Sequence, residues 1–408
     1  MLFCQCSAIS WLYAKARGTK VGFSRSERDR EVETSSGPLR GVKVLDFSTL
    51  LPGPLATLIL ARAGASVLKV ERPNGGDEMR SYVPRFGSTS ANFAILNEGK
   101  RSVVADLKDP DDVTRVAELM KRADVLVEQF RPRTLERLGL GYEQAIKLNP
   151  SLIYCSITGY GQNGPKAARA GHDLNYIAET GLLSLTTDVQ GAPTLPPLLI
   201  ADLVGGTYPA VLNIILALRQ RDAGGAGVHI DISMSNNLFS LQYWALANAG
   251  AEGTWPRPGG ELVTGGSARY QLYRTGDGAF LAVAALEDRF WNEFCQLVNL
   301  PDEFHDDRKD PVATRRAVAK LLQEHDAAYW EARFDGKDVC VSRVQSLVNA
   351  TVDPHFAAYL SQRHSLNSCD AIMPALPLPL ADEWRNSFVE NVPELGADNV
   401  LLDEPSRW

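Results

Sequence analysis

The chain has 408 residues, 45% of them hydrophobic and 22% charged, with a formal net charge of −7. That length holds about two to three domains at ~150 residues each, and the acidic balance argues against a nucleic-acid binder, whose phosphate partners demand a basic face. No uninterrupted apolar run approaches the ~18 residues of a membrane span, so the chain reads as not integral to a bilayer.

Residues 1–36 differ in character from the rest of the chain. Lys15, Arg17, Lys20 and Arg25 precede the first acid, Glu27, without an amphipathic pattern, and the segment reads as an extension outside the fold. A transit peptide is the alternative, although acids recur at Glu27, Asp29, Glu31 and Glu33. A cytoplasmic protein is expected, a mitochondrial one being the alternative. The six cysteines, at 4, 6, 155, 295, 340 and 369, are scattered without a C-x-x-C pair, which predicts reduced thiols and no metal site.

From Gly37 the punctuation becomes regular. Val42 to Phe47 reads as a buried strand, and Pro52-Gly53-Pro54 opens an apolar helix to Arg62 that stops at Gly64. Ser66 to Glu71 is the next strand and Val103 to Leu107 another. Asp109-Pro110-Asp111-Asp112 begins a helix with a cap, a proline and first-turn acids. Asp124 to Glu128 is a strand, two short helices run through Leu135 and Ala145, and Leu152 to Ile157 is a strand before Gly171. Long helices are expected across Tyr208 to Arg219 and Asn237 to Ala247, then a hairpin of Tyr270 to Tyr273 and Phe280 to Ala285, then helices around Trp291 and Ala319. Strands alternating with helices predict an α/β fold with a doubly wound, Rossmann-like parallel sheet and a smaller α+β region, ligands lying at the carboxyl ends of the strands. The large region is placed at 37–230, completed by 355–408, and the small one with its linker helices at 231–354.

Gly171-His172-Asp173 follows such a strand end and puts an imidazole beside a carboxylate. A His titrating near pH ~6.5 moves protons readily, and the carboxylate can orient it or attack as a nucleophile. The plainer alternative makes Asp173 the N-cap of a helix. Gly159-Tyr160-Gly161-Gln162-Asn163-Gly164 spells G-x-G-x-x-G, but Pro165 follows at once and no apolar helix comes after it, so a dinucleotide fingerprint fails its context test. A glycine-rich active-site loop is the expectation.

Leu51-Pro52-Gly53-Pro54, Glu71-Arg72-Pro73, Gly99-Lys100-Arg101-Ser102 leading to Ala105-Asp106-Leu107-Lys108, Glu128-Gln129-Phe130-Arg131-Pro132 and Gly159-Tyr160-Gly161 together resemble the family III CoA-transferases, over about Gly37 to Ser342. Gly171 to Tyr176, Ala201-Asp202-Leu203-Val204-Gly205-Gly206 and Ala284-Ala285-Leu286-Glu287 are similar to that family's α-methylacyl-CoA racemase branch. The transferases usually carry an aromatic residue where His172 stands. The resemblance implies that His172 and Asp202 are the proton-transfer groups, that Glu287 partners His172 from the small region, and that members form interlocked homodimers. It implies CoA contacts at Arg72, Ala105, Asp106, Leu107, Lys108, Arg131, Ala170, Gly171 and Asn175, with Arg101 a further phosphate anchor on chemical grounds. CoA enters as part of an acyl-CoA substrate, so no separate cofactor is expected.

Inverting a stereocentre beside a thioester requires a proton taken from one face and returned on the other, hence two acid/base groups, with amides at a helix start near Asp173 meeting the enolate oxygen. Taken singly, Asp202 could cap a helix and Glu287 could be a first-turn acid. Three functions stay open: a 2-methylacyl-CoA racemase, a CoA-transferase using Asp173 as nucleophile, and a non-catalytic CoA-binding protein. The chain departs from the family at its far end. Asp382-Glu383-Trp384-Arg385 stands without a Gly-x-His-Thr segment, and Arg343 replaces a usual proline.

Overall fold

Six short apolar runs pair into one parallel sheet. The computed structural model describes residues 37–188, 190–361, 365–368, 371–384 and 390–408. The expected N-terminal extension, Cys4, Cys6, Cys369 and Arg385 lie outside the described residues. Strands β1 (Lys43–Asp46), β2 (Ser66–Glu71), β3 (Arg101–Val104), β4 (Val125–Glu128), β5 (Ile153–Thr158) and β6 (Val228–Ser233) lie in the order β3-β2-β1-β4-β5-β6. Every neighbouring pair is parallel. Because helices cover both faces, β4 and β5 are buried along their whole length and carry apolar residues on both sides. The chain winds outward in opposite directions from β1 and β4, so the crevice at their carboxyl ends is where this topology places a ligand.

Helix α1 (Pro52–Arg62) follows β1, and Gly64, at φ 109°, ends it in a conformation that a side chain would strain. Helix α2 (Pro110–Met120) starts as expected, the Asp109 carboxylate accepting from the Asp111 amide. Two expectations are corrected. Strand β3 spans 101–104 and not 103–107, because the Asp106 amide donates to Asp112 and the Lys108 amide to Asp106, turning the chain away from the sheet. Strand β6 was not foreseen. Its burial, unlike that of β4 and β5, includes exposed Val228 and Asp231, as suits an outer strand, and it crosses residue 231.

Beneath the crevice lies a buried ionic cluster. Asp46 ends β1 fully buried, accepting from the Ser48 amide and hydroxyl and the Thr57 hydroxyl, and faces Lys100 Nζ at 3.2 Å. Burial pushes the Asp46 carboxyl up, but Lys100 and Lys69 outweigh it and bring it to about 2. Lys69 donates to the Ser48 carbonyl and pairs with Asp77 at 3.0 Å, while Asp77 takes the amide of Leu50, held at φ 62°. Four charges from separate elements thus fix the loop between β1 and α1. Removing one partner of such a buried pair costs about 3–5 kcal/mol.

A second, antiparallel sheet of β7 (Tyr270–Arg274), β8 (Phe280–Ala284) and β9 (Val341–Arg343) has the order β9-β8-β7. Tyr273, Leu281 and Val283 pack on Trp291 and Phe294. Leu401, Leu402 and Trp408 return to the large sheet, on the face lined by Leu45, Leu126 and Tyr154. Ala201–Asp222 is one 22-residue helical run with a mean hydropathy of 1.5 and half of its apolar window buried, long and apolar enough by those measures to cross a membrane.

Candidate active site

Helix α3 (Asp173–Glu179) begins at the expected motif, with one shift: His172 is its N-cap and Asp173 its first helical residue. This corrects the reading of Asp173 as cap. The His172 amide donates to Asn175 Oδ1 at 3.0 Å, so one of the amides at this helix start is already used. His172 is exposed, whereas Asp173 is 4% exposed. Asp173 Oδ1 accepts the backbone amide of Asp202 at 3.0 Å, which brings the two sequence motifs into contact.

Asp202 sits in a wide π-type turn, Ala201–Thr207, that leads into helix α4 (Tyr208–Asp222). Such turns recur at functional sites. Burial raises the Asp202 carboxyl to about 7, and the charge of Asp173 pushes the same way. The glycines after it are steric requirements: a Cβ on Gly205 would lie 2.2 Å from the Met234 carbonyl oxygen, and one on Gly206 would meet Met234 and Pro52.

Tyr176, to which the sequence reading gave no role, joins this group. Its hydroxyl donates to the Gly171 carbonyl at 2.5 Å, fixing the residue before His172. Burial, then Asp202, raise its phenol to about 12, with Arg131 close enough to oppose the shift. Gly159 and Gly171 make room for its ring, since a Cβ on either would come within 2.4 and 2.8 Å of it respectively. The glycine loop therefore serves packing. Its Gly161 amide goes to Thr158 and its Gln162 amide to Asp231, and the chain forms no helix between it and α3.

The groups implied to hold CoA fall into two sets. The Ala105 amide donates to the Glu71 carbonyl, which places Ala105, Asp106, Leu107 and Lys108 beside Arg72 at the carboxyl ends of β2 and β3. Arg72 is exposed, with its guanidinium on the Gly76 carbonyl and Glu78. Ala170, Gly171 and Asn175 surround His172, with Ala170 and Asn175 exposed, and Arg131 stands beside Tyr176. Arg101 is a correction: it begins β3 and donates to Ser66 Oγ at the start of β2, at the opposite end of the sheet. Glu287 is the exposed N-cap residue of helix α5 (Asp288–Val298), and among the described residues no hydrogen bond or ion pair joins it to His172.

A separate cleft of about 310 Å³ lies on the Tyr154 face of the sheet, lined by Glu128, Arg131, Tyr142, Ser156, Gln162 and His229. Burial raises Glu128 to about 7, and Ser156 Oγ lies 3.0 Å from His229 Nε2. Cys155, Cys295 and Cys340 are free thiols. Among the described residues no group of three or more His, Cys, Asp or Glu is placed to hold a metal.

A doubly wound sheet with an imidazole and two carboxylates at its crevice defines an α/β enzyme with acid/base or acyl-transfer chemistry. The family model for CoA-transferase family III matches residues 39–399, and the chain belongs to that family. The mouse succinyl-CoA:glutarate CoA-transferase is 36% identical over 351 residues, 82% of this chain and 77% of the relative. The mouse alpha-methylacyl-CoA racemase is 37% identical over 322 residues, 78% of this chain and 80% of the relative. A CAIB/BAIF family protein from Brucella suis superimposes with a TM-score of 0.77 at 28% identity, covering 90% of this chain and 99% of that one.

Proposed function

We propose that the protein interconverts the (2R) and (2S) forms of 2-methylacyl-CoA thioesters by removing and returning the α-proton through an enolate. The observation that carries this reading is the hydrogen bond from the Asp202 amide to Asp173 Oδ1, which ties the residue whose carboxyl is raised to about 7 to the immediate neighbour of His172. The exposed imidazole takes the proton from one face and Asp202, protonated in part at neutral pH, returns one on the other. Asp173, buried and bonded to the Asp202 backbone, then acts as the orienting group. Glu287, carried by the small sheet's region, would hold the His172 imidazole. Arg72, the Ala105 to Lys108 segment and Arg131 would anchor the CoA moiety.

The test is solvent-deuterium incorporation at the α-carbon across a panel of 2-methylacyl-CoA thioesters. Wild type is expected to exchange, and His172→Ala and Asp202→Asn each to lose about 10²–10⁴-fold in rate. Wild type without exchange on every branched thioester would remove the racemase reading.

The similarity to succinyl-CoA:glutarate CoA-transferases favours a second reading, acyl transfer. There a carboxylate attacks the thioester carbonyl, CoA thiolate leaves, and a mixed anhydride forms. CoA thiolate then attacks the aspartyl carbonyl, releasing the donor acid and leaving an aspartyl-CoA thioester for the acceptor carboxylate. The carboxylate expected to attack is Asp173, whereas Asp202, raised to about 7, is protonated in part at neutral pH and is the weaker nucleophile. Hydroxylamine trapping with acyl-CoA present would then mark Asp173, which the racemase mechanism leaves unmodified.

A further inference from the structure

The turn that carries Asp202 is gripped at three points. Asp173 takes the amide of residue 202, Asn237 Nδ2 donates to the Gly205 carbonyl at 2.8 Å, and Thr207 Oγ1 donates to the Pro52 carbonyl at 2.9 Å. The Thr207 contact is fully buried. Its acceptor begins helix α1, directly after the loop that the Asp46, Lys69, Asp77 and Lys100 cluster fixes. Lys100 Nζ also donates to the Pro54 carbonyl at 2.8 Å, and the Gly53 amide donates to Gln129 on the loop after β4. The ionic cluster under the crevice is therefore linked, through Pro52 and one threonine hydroxyl, to the turn bearing Asp202.

A π-type turn is wider than an α-helical one and needs outside support to keep its register. Gly205 and Gly206 let this turn press against Met234 and Pro52, but glycines by themselves allow many backbone conformations. The side-chain anchors at both ends select one.

We propose that Thr207 is a positioning residue for Asp202, locking the π-type turn onto Pro52 so that the carboxyl is held at the crevice, with Asn237 gripping the same turn from its other side. The effect on turnover rests on Asp202 being a reacting group, as proposed above; the effect on the turn does not.

Thr207→Val keeps the shape and removes the hydroxyl, while Thr207→Ser keeps the hydroxyl. The valine variant is expected to lower kcat for α-proton exchange roughly tenfold to hundredfold at unchanged KM, the scale set by misplacing a reacting group by about 1 Å. It should also shift the limb of the pH profile that Asp202 governs, and serine should recover both. Amide hydrogen exchange across residues 201–207, which needs no activity, should quicken in Thr207→Val and return in Thr207→Ser. If wild type acts on no branched thioester, the functional reading fails and amide exchange alone decides: quicker exchange reversed by serine supports the positioning role, equal exchange overturns it. With an active wild type, an unchanged kcat and pH profile in Thr207→Val overturns it. Should Thr207→Val not fold, Asn237→Ala takes its place, with the same loss in kcat supporting the proposal and a wild-type kcat overturning it.

Discussion

At Asp202 two effects act in the same direction: burial and the neighbouring Asp173 charge both disfavour the carboxylate, and together they bring the group to about 7. The proximity of the two acids came from a hydrogen bond across 29 residues of sequence, which no local pattern announces. The sequence did mark His172, Asp173 and Asp202 individually; it could not say that Asp173 would be buried and Asp202 left more open. Asp173→Asn tests the coupling cleanly, because the amide oxygen can still accept the Asp202 N–H while the negative charge is gone. Its carboxyl neighbour should then ionise more easily. The pH-rate limb belonging to Asp202 is expected to move to lower pH, while staying above the ordinary carboxylate range because burial, the larger cause, is unchanged. Linkage gives a second sign. Because the folded state holds the Asp202 proton more tightly than the unfolded one, this group's contribution to stability falls as pH rises from about 4 towards 7. Asp173→Asn should flatten that fall, which melting curves at several pH values would register. A profile and a melting series both superimposable on wild type would refute the coupling.

The elements around the site owe their placement to glycines and buried charge. Gly159-Tyr160-Gly161 was legible as a special loop, since clustered glycines signal close backbone approach, but its purpose became clear only when Tyr176 from α3 was found filling the space beside Gly159 and Gly171. The ionic cluster was not legible at all, because Asp46, Lys69, Asp77 and Lys100 come from different elements and each looks like a surface charge in sequence. The same limit explains Arg101, whose type suits a phosphate but whose position at the start of β3 turns it to Ser66. Gly159→Ala probes the packing directly. A methyl group there would lie 2.4 Å from the Tyr176 hydroxyl, so the ring must shift and loosen its bond to the Gly171 carbonyl. Overpacking of this kind costs about 1–3 kcal/mol, to be read from urea denaturation. Activity should fall along with stability, since the displaced residue is joined to the one before His172. A variant as stable and as active as wild type would show that the Tyr176 contact does not matter.

Across the whole molecule, the alternation of strand and helix was enough to predict the doubly wound sheet, and the short runs Tyr270 to Tyr273 and Phe280 to Ala285 the antiparallel hairpin. The polar positions of β6, with His229 between Val228 and Ile230 and Asp231 between Ile230 and Ile232, hid that strand. What the chain leaves uncovered bears on assembly. Helix α4 buries Ala210, Ile214 and Leu218 against the sheet, yet its other side exposes Tyr208, Leu212, Ile215 and Leu216, with Leu212 58% exposed. A helix apolar on both sides is one that something else covers. We take that cover to be a second copy, in keeping with the interlocked dimers implied by the family resemblance, and Glu287 and His172, both exposed and joined by no hydrogen bond or ion pair among the described residues, would then meet across subunits. Complementation distinguishes the arrangements. Co-expressing His172→Ala and Glu287→Ala chains under separate tags, and isolating the doubly tagged species, gives dimers in which one composite site is intact if the pair forms between chains. In an unsorted mixture this would amount to about a quarter of wild-type exchange, half the dimers being mixed and each keeping one of two sites. If the pair forms within a chain, every site in the mixed dimer carries a lesion, and activity stays at the level of the separate variants.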